Sequence, residues 1–328
     1  MKKPKVFLTR ELPPKAMERL RQETELEMNM EDRVLTKKEL IEGVKGKDGL
    51  LCLLTDQIDE EVLSADSGLK VVANYAVGFN NIEVEVATRL GIPVSNTPGV
   101  LTETSADLAF ALIMSVSRRI AEADKFIRTG KWAGWGPLQF LGTDIYGTTL
   151  GIIGLGRIGK AVAKRAKGFS MDIKYWNRTR LSEEEELQLG IEYLPFDELL
   201  KVADFVSINI AFNEETFHLI SDRELELMKA SAVLINTSRG PVVDEKALVQ
   251  ALRAGQIWGA GLDVFENEPQ IEPELLEMNN VVILPHLGSA TIATRTKMAM
   301  IAIDNLLAVL QGKQAPNLVN DQIYSPKN

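Results

Sequence analysis

Only two histidines, His218 and His286, occur in the 328-residue chain, so a proton donor working near neutral pH has two candidates. His286 follows the apolar run Val281-Val-Ile-Leu284 and Pro285, and precedes Leu287-Gly288-Ser289. That order puts it at the carboxyl end of a predicted parallel strand, the edge where open α/β sheets bind ligands. His218, in Asn213-Glu-Glu-Thr-Phe-His218-Leu-Ile, lies in a polar loop running into a helix, which reads as surface or capping structure. Two further polar residues stand at equivalent strand ends: Arg239, after Ala232–Ile235, and Glu268, shortly after Gly259–Val264. The three types suit 2-hydroxyacid redox chemistry. An arginine can hold a carboxylate bidentately and polarise the adjacent carbonyl, a histidine can protonate the oxygen as hydride arrives, and a glutamate can stabilise the imidazolium. An arginine at a loop tip is usually just exposed and a lone histidine structural; three such residues at three strand ends favour convergence on one crevice.

The coenzyme for such chemistry has its own signature. Thr149-Leu-Gly-Ile-Ile-Gly154-Leu155-Gly156-Arg157-Ile158-Gly159 runs from a buried strand through Gly-x-Gly-x-x-Gly into the helix Lys160–Lys167. Gly154 permits the tight turn, Gly156 lets backbone approach a pyrophosphate, Gly159 lets helix and strand pack closely, and the first helical N–H groups bind the negative charge. At the end of the next strand, where an acidic residue usually meets the 2′-hydroxyl of NAD, the chain has Asn177, followed by Arg178, Thr179 and Arg180. These residues offer donors to a 2′-phosphate and no carboxylate to repel it. NADP(H) is therefore expected to be preferred, with NAD(H) possible; the competing reading is a basic surface loop that balances Glu183–Glu186.

The elements that must position these residues alternate regularly. Short apolar runs at Val6–Leu8, Leu50–Leu54, Leu69–Ala73 and Pro93–Asn96 are separated by helix-like Pro14–Gln22, Lys37–Val44 and Ile82–Leu90. A second series follows at Thr149–Ile153, Ile173–Trp176, Phe205–Ile208, Val233–Asn236, Gly259–Asp263 and Val281–Leu284. The pattern predicts an α/β protein with two doubly wound parallel sheets. Between the series, Thr102–Gly130 reads as one joining helix, N-capped by Thr102. Glycine and proline then break helix periodicity in Trp132-Ala-Gly-Trp135-Gly-Pro-Leu-Gln-Phe-Leu-Gly, whose aromatics need a partner. A loop folded onto its own domain and an arm that packs on a second subunit are equally good readings of these residues. Glu183–Glu186 follows Ser182 in a capping pattern and reads as a solvated first helical turn. The polar tail Gln311–Asn328 is expected to fray.

Composition narrows the partners. Hydrophobic residues make up 45% of the chain, enough for two cores, and 37 basic against 46 acidic side chains give a formal charge of −9. That balance argues against wholesale nucleic-acid binding. The single cysteine, Cys52, excludes an internal disulfide and a four-cysteine zinc site, and in Gly-Leu-Leu-Cys-Leu-Leu it reads as a buried small hydrophobe. No metal site is assigned. No apolar run approaches the roughly 20 residues of a membrane span, and the N-terminal run is too short for a signal-peptide core, so a cytoplasmic location is expected.

Three longer segments make the resemblance specific: Asn236-Thr-Ser-Arg239-Gly-Pro-Val-Val-Asp244, Gly261-Leu-Asp263-Val-Phe-Glu-Asn-Glu268-Pro and Pro285-His286-Leu-Gly-Ser-Ala290. With the glycine motif, they resemble the signatures of the NAD(P)-dependent D-2-hydroxyacid dehydrogenases. The similarity spans essentially the whole chain. Ala73-Asn-Tyr-Ala-Val77-Gly78-Phe-Asn-Asn-Ile, Asn96-Thr-Pro-Gly-Val-Leu-Thr and the stretch from Gly142 to Gly147 are most similar to the glyoxylate/hydroxypyruvate reductases within that family. The resemblance implies catalytic Arg239, Glu268 and His286, and a backbone clamp for the substrate carboxylate at Val77 and Gly78. It further implies a substrate contact near Leu53 or Leu54, Asp263 near the nicotinamide carboxamide, and Thr237, Ser238 and Gly288 lining the coenzyme. It implies a flavodoxin-like substrate domain, 1–98 plus 288–328, that closes on an inserted Rossmann domain, 99–287. It also implies a homodimer in which the arm reaches the neighbouring active site with Trp135, which favours the intersubunit reading. Gly99, where relatives often carry Asp, and Asn267, in place of a common acidic residue, depart from the pattern without touching the chemistry.

The leading expectation is an NADPH-dependent reductase of glyoxylate and hydroxypyruvate. Phosphoglycerate or D-lactate dehydrogenase activity would share Arg239, Glu268 and His286, although Leu53, Leu54 and Trp135 offer nothing basic to a phosphorylated substrate. Formate dehydrogenase chemistry is disfavoured because Glu268 stands where glutamine is expected beside the histidine. A dinucleotide-sensing interaction module of the corepressor type is the reading from a different class.

Overall fold

The computed structural model describes residues 2–324, and within them the chain packs as two units. One is formed by the chain up to Leu101 and from Ala290 on; the other is Thr102–Ser289. Each is built on a wholly parallel sheet, as the alternating pattern predicts.

The first unit has β1 (Lys5–Leu8), β2 (Glu25–Met28), β3 (Gly49–Leu53), β4 (Val71–Tyr75) and β5 (Val94–Ser95), in the order β2-β1-β3-β4-β5. This is the flavodoxin-like winding, with its reversal between β1 and β3. Strands β3 and β4 are covered on both faces, which is why they read as continuous apolar runs rather than alternating ones. Cys52 is wholly buried in β3, as its apolar neighbours suggest. The tail does not fray as expected. Asn320 is buried, accepts from Val94 N at 2.8 Å and donates to Ile92 O at 3.0 Å, while Val319 N reaches Val94 O at 2.7 Å. Its polar residues satisfy the open edge of β5, a task that composition alone does not reveal. The tail residues 325–328 lie outside the described residues.

The second unit has β6 (Thr149–Ile153), β7 (Asp172–Trp176), β8 (Glu192–Tyr193), β9 (Phe205–Ile208), β10 (Val233–Asn236), β11 (Gly259–Leu262) and β12 (Val281–Ile283). Their order, β12-β11-β10-β9-β6-β7-β8, is the Rossmann winding with one added strand, and the winding reverses between β6 and β9. The expected single helix from Thr102 to Gly130 is two helices, Thr102–Ser117 and Ile120–Arg128. The break falls at Arg119, whose backbone is left-handed (φ 51°), with no glycine or proline to announce it.

Candidate active site

The register of the second sheet brings its chemistry to one edge. Ile153 lies opposite both Trp176 and Ile208, Asn236 opposite Ile208 and Leu262, and Leu262 opposite Ile283. The residues that follow these strand ends therefore rise from a common rim. They include Gly154, Asn177, Asn209, Thr237 and Asp263.

After β10, the buried Asn236 ties the loop into a knot. Its Oδ1 accepts from Ser238 N at 3.0 Å and from Ser238 Oγ at 2.8 Å, while Nδ2 donates to Arg239 O at 3.0 Å. Gly240 then lies so close to Phe265 that a Cβ on it would fall 1.8 Å from Phe265 O. Only glycine allows this approach, which joins the Arg239 loop to the one carrying Glu268. The Arg239 guanidinium donates to Ser238 O at 2.8 Å. Burial pushes it below the ordinary arginine range, and the charge of Glu268 opposes that shift.

The loop after β11 does the same for His286. Asp263 is 1% exposed, accepts from Leu287 N at 2.6 Å and Gly288 N at 2.8 Å, and its carbonyl takes His286 N at 2.9 Å. His286 has a left-handed backbone (φ 56°), which for a residue with a Cβ costs about 1–2 kcal/mol and persists only where neighbours impose it. Burial raises the Asp263 carboxyl above its usual range, against the Leu287 amide, the His286 ring and the Gly288 amide. The resemblance puts Asp263 near the nicotinamide; in the structure its carboxylate holds the His286 loop.

His286 Nδ1 meets Glu268 Oε2 at 3.0 Å, and Glu268 Oε1 accepts from Phe265 N at 3.1 Å. Burial works against the Glu268 charge, but the His286 hydrogen bond and charge, the Phe265 amide and Arg239 together hold this carboxyl below its ordinary range. The three polar residues predicted to converge are thus electrostatically coupled in one unit. His218 is elsewhere. Its ring is half-buried, stacked on Phe217 at 3.9 Å, with Nε2 3.0 Å from Glu266 and Nδ1 3.5 Å from Asp244. It is bound between two carboxylates, not a helix cap as its polar surroundings suggest.

The glycine loop fits a dinucleotide. Gly154 has φ 93° and Gly159 sits so near the turn that a Cβ would lie 2.1 Å from Gly154 O, whereas a Cβ on Gly156 would meet no described atom within 4 Å. The helix Arg157–Lys167 starts at Gly156 with no side-chain cap, so the N–H groups of its first turn face the loop without an internal acceptor. On the same rim, Asn209 Oδ1 and Thr237 Oγ1 are buried with no hydrogen-bond partner among the described residues. Orphaned polar atoms at a strand-end rim are the mark of a ligand-facing surface.

Comparison with known proteins agrees with this geometry. The family described as D-isomer specific 2-hydroxyacid dehydrogenase, NAD binding domain, matches residues 110–288. The chain belongs to the D-isomer specific 2-hydroxyacid dehydrogenases. It is 52% identical over 324 residues to a glyoxylate reductase of Korarchaeum cryptofilum, with 98% of this chain and 97% of that one covered. The solved glyoxylate reductase of Paecilomyes thermophila is 35% identical, with TM-score 0.85 and coverage of 98% of this chain and all (100%) of that one. The NADPH-dependent glyoxylate/hydroxypyruvate reductase of Sinorhizobium meliloti, solved with NADP and malonate, is 32% identical, with TM-score 0.86 and 99% of each chain covered.

In this dehydrogenase the loop after β7 divides its labour. Asn177 Oδ1 accepts from Leu155 N at 2.7 Å and so steadies the glycine loop. Arg180 is tied to Glu186 by two hydrogen bonds, 2.8 and 2.7 Å, and Glu186 is buried against the Tyr175 hydroxyl at 2.6 Å, so the acidic turn is not wholly solvated as predicted. Arg178 stays 82% exposed, 3.2 Å from Glu215. On the other unit, Leu53 gives its N–H to Asp56 and its carbonyl to Asn81, and the carbonyls of Val77 and Gly78 accept from Asn96 and Asn74. Trp135 is 84% exposed, and the helix Ile120–Arg128 buries none of its residues. Sequence reasoning missed Asn209, and used Asn74, Asn81, Asn96 and Asn236 only as parts of motifs. An asparagine at or just beyond the end of an apolar strand is the signal that could have found them.

Proposed function

We propose that this dehydrogenase reduces glyoxylate and hydroxypyruvate, giving glycolate and D-glycerate, and prefers NADP(H) to NAD(H). The His286–Glu268 contact beside Arg239 carries the reading, and the relatives named as glyoxylate and glyoxylate/hydroxypyruvate reductases support the substrate class. Gly154, Leu155, Gly156, Arg157, Ile158 and Gly159 would hold the pyrophosphate, with Thr237, Ser238, Asp263 and Gly288 along the rim and Asn177, Arg178 and Thr179 at the adenosine end. Bound there, a reduced nicotinamide supplies hydride to C2 of the keto acid.

The protein's own groups supply the rest. Arg239 pairs with the carboxylate and draws density from the neighbouring carbonyl, an interaction strengthened by its burial. His286, with Nδ1 given to Glu268, turns Nε2 to the substrate oxygen and hands it a proton; Glu268 stabilises the positive ring before that transfer. Leu53, Val77 and Gly78 bind the acid from the first unit, the peptides that follow Val77 and Gly78 forming the clamp with their N–H groups. The exposed Trp135 arm and the uncovered helix Ile120–Arg128 fit a homodimer in which Trp135 borders the partner's substrate site. The lone, buried Cys52 suits a cytoplasmic setting.

Turnover decides the matter. Glyoxylate, hydroxypyruvate and pyruvate are each offered with NADPH or NADH, and the absorbance of the reduced coenzyme is followed. Fastest oxidation with glyoxylate or hydroxypyruvate and NADPH is expected. No oxidation with any keto acid would instead favour a dinucleotide sensor.

A further inference from the structure

The loop after β4 is held from behind by asparagines. Val77 O accepts from Asn96 Nδ2 at 2.7 Å, and Gly78 O from Asn74 Nδ2 at 3.0 Å. Both peptides are trans, so each C=O points opposite to the N–H of the same peptide. Fixing Val77 O therefore directs Gly78 N–H away from Asn96, and fixing Gly78 O directs Phe79 N–H away from Asn74. Among the described residues no protein group accepts from either N–H. Val77 and Gly78 are half-buried and Phe79 is exposed, so two successive donors face outward from a loop whose acceptors are all turned in. Successive backbone N–H groups arranged in this way form an anion site.

The two asparagines are themselves braced. Asn74 is fully buried, and its second N–H reaches Asn81 Oδ1 at 3.0 Å. Asn81 in turn donates to Leu53 O and Asp56 O, both at 3.1 Å, which links the loops after β3 and β4. Asn96 is pinned through its backbone, its N–H to Asn317 O at 3.1 Å and its carbonyl from Asn305 Nδ2 at 2.9 Å. An apolar residue at either place would leave a carbonyl without a partner, and an aspartate would set like partial charges against each other.

We infer that Asn74 and Asn96 are positioning residues for the keto acid's carboxylate: they hold the Val77 and Gly78 carbonyls so that the Gly78 and Phe79 amides form a preorganised anion clamp. This rests on the proposed reading that the loop binds that carboxylate. Neither asparagine touches the substrate; each acts through a peptide plane.

The test uses full-length enzyme loaded with NADP⁺, labelled with ¹⁵N-glycine and ¹⁵N-phenylalanine, and oxalate as the probe. In the wild type the Gly78 and Phe79 amide resonances should move on titration. In Asn96→Ala, which keeps the backbone anchors, the oxalate Kd and the glyoxylate KM should both rise about five- to thirtyfold. The KM for NADPH should stay within about twofold, a split that a general loss of structure would not give. Asn96→Asp, equal in shape but without the donor, should bind oxalate no better than Ala. Asn74→Ala should match Asn96→Ala; if it does not fold, Asn96→Ala decides alone. Wild-type amides that move while Asn96→Ala binds oxalate normally would overturn the role of the asparagine and spare the clamp. Oxalate binding that leaves both wild-type amides unmoved would sink the clamp itself. Equal rises in the KM of NADPH and glyoxylate would also overturn the inference.

Discussion

His286 Nδ1 and Glu268 Oε2 lie 3.0 Å apart, although 18 residues separate them along the chain. The contact selects Nε2 as the ring atom that meets a ligand, and the depressed Glu268 carboxyl keeps a negative charge behind the ring through the neutral range. His286→Ala should reduce kcat by about 10²–10⁴. Coenzyme affinity, followed by quenching of protein fluorescence, should be nearly unchanged. Glu268→Gln can still accept from Nδ1–H but carries no charge, and should lose about ten- to a hundredfold in kcat. A glutamine variant as active as the wild type would remove the electrostatic role.

Asp263 spends both carboxylate oxygens on the amides that follow His286. Asp263→Asn has one acceptor for two donors and must point its amide at the other N–H, so the left-handed turn at His286 loosens. The expected loss in kcat is tenfold or more, at about 1.5–3 kcal/mol for each hydrogen bond to a charged group. Stability should fall less than that suggests. Burial raises this carboxyl, so its charge is a cost to the fold above the folded-state titration, and the neutral amide is relieved of it. Melting curves beside steady-state rates separate the two effects; a variant that melts far below the wild type with unimpaired kcat contradicts the assignment.

Much of this was legible because buried parallel strands ending at glycine or asparagine are written plainly. β6, β9 and β10 are read from Thr149, Phe205 and Val233 onward because their runs are mostly apolar. β2 was not, since Glu25-Leu-Glu-Met28 is a half-exposed edge strand whose charges contradict strand propensity. The break at Arg119 was invisible because the amphipathic period continues across it. That Arg239, Glu268 and His286 stand at strand ends could be read in the sequence; that Gly240 lies against Phe265 and brings two loops together depends on register. The inward-facing Asn74 looks like an error in an apolar run until its partners, Gly78 and Asn81, are in place.

The coenzyme loop predicts a division between its two arginines. Arg178 is exposed and only loosely paired with Glu215, whereas Arg180 is held by the buried Glu186. Arg178→Asp should raise the KM for NADPH about tenfold or more and that for NADH by less than about twofold, since only one coenzyme carries the 2′-phosphate. Arg180→Gln should act mainly on the melting temperature. Equal losses with both coenzymes in the Arg178 variant would refute the phosphate reading.

Glu186 also gives an acid signature. The Arg180 guanidinium and the Tyr175 hydroxyl pull its carboxyl down to about 2 from an ordinary 4.5, against the effect of burial. A depressed carboxyl stabilises the fold fully above its unfolded value and loses that contribution as pH falls through its folded one. Wild type should therefore melt above Glu186→Gln at neutral pH, and the gap should close between about pH 4.5 and 2. A gap that is constant with pH would mean that the charge is not what holds this corner.

The exposed arm bears on assembly. Trp135 and Leu138 are 84% and 81% exposed, Trp132 and Leu141 more than half, and the neighbouring helix Ile120–Arg128 presents Ile120 and Ile127 to solvent. So much clustered apolar surface is costly in water and is normally covered. If two copies cover it mutually, sedimentation should give a dimer, and Leu138→Asp with Ile127→Asp should yield monomers. Trp135→Ala removes the side chain proposed to border the partner's site without removing the rest of the face. It should stay dimeric while its KM for hydroxypyruvate rises more than that for the smaller glyoxylate. A dimer that survives the double aspartate change would place the contact elsewhere, and a Trp135→Ala enzyme with an unaltered substrate ratio would leave the tryptophan outside the pocket.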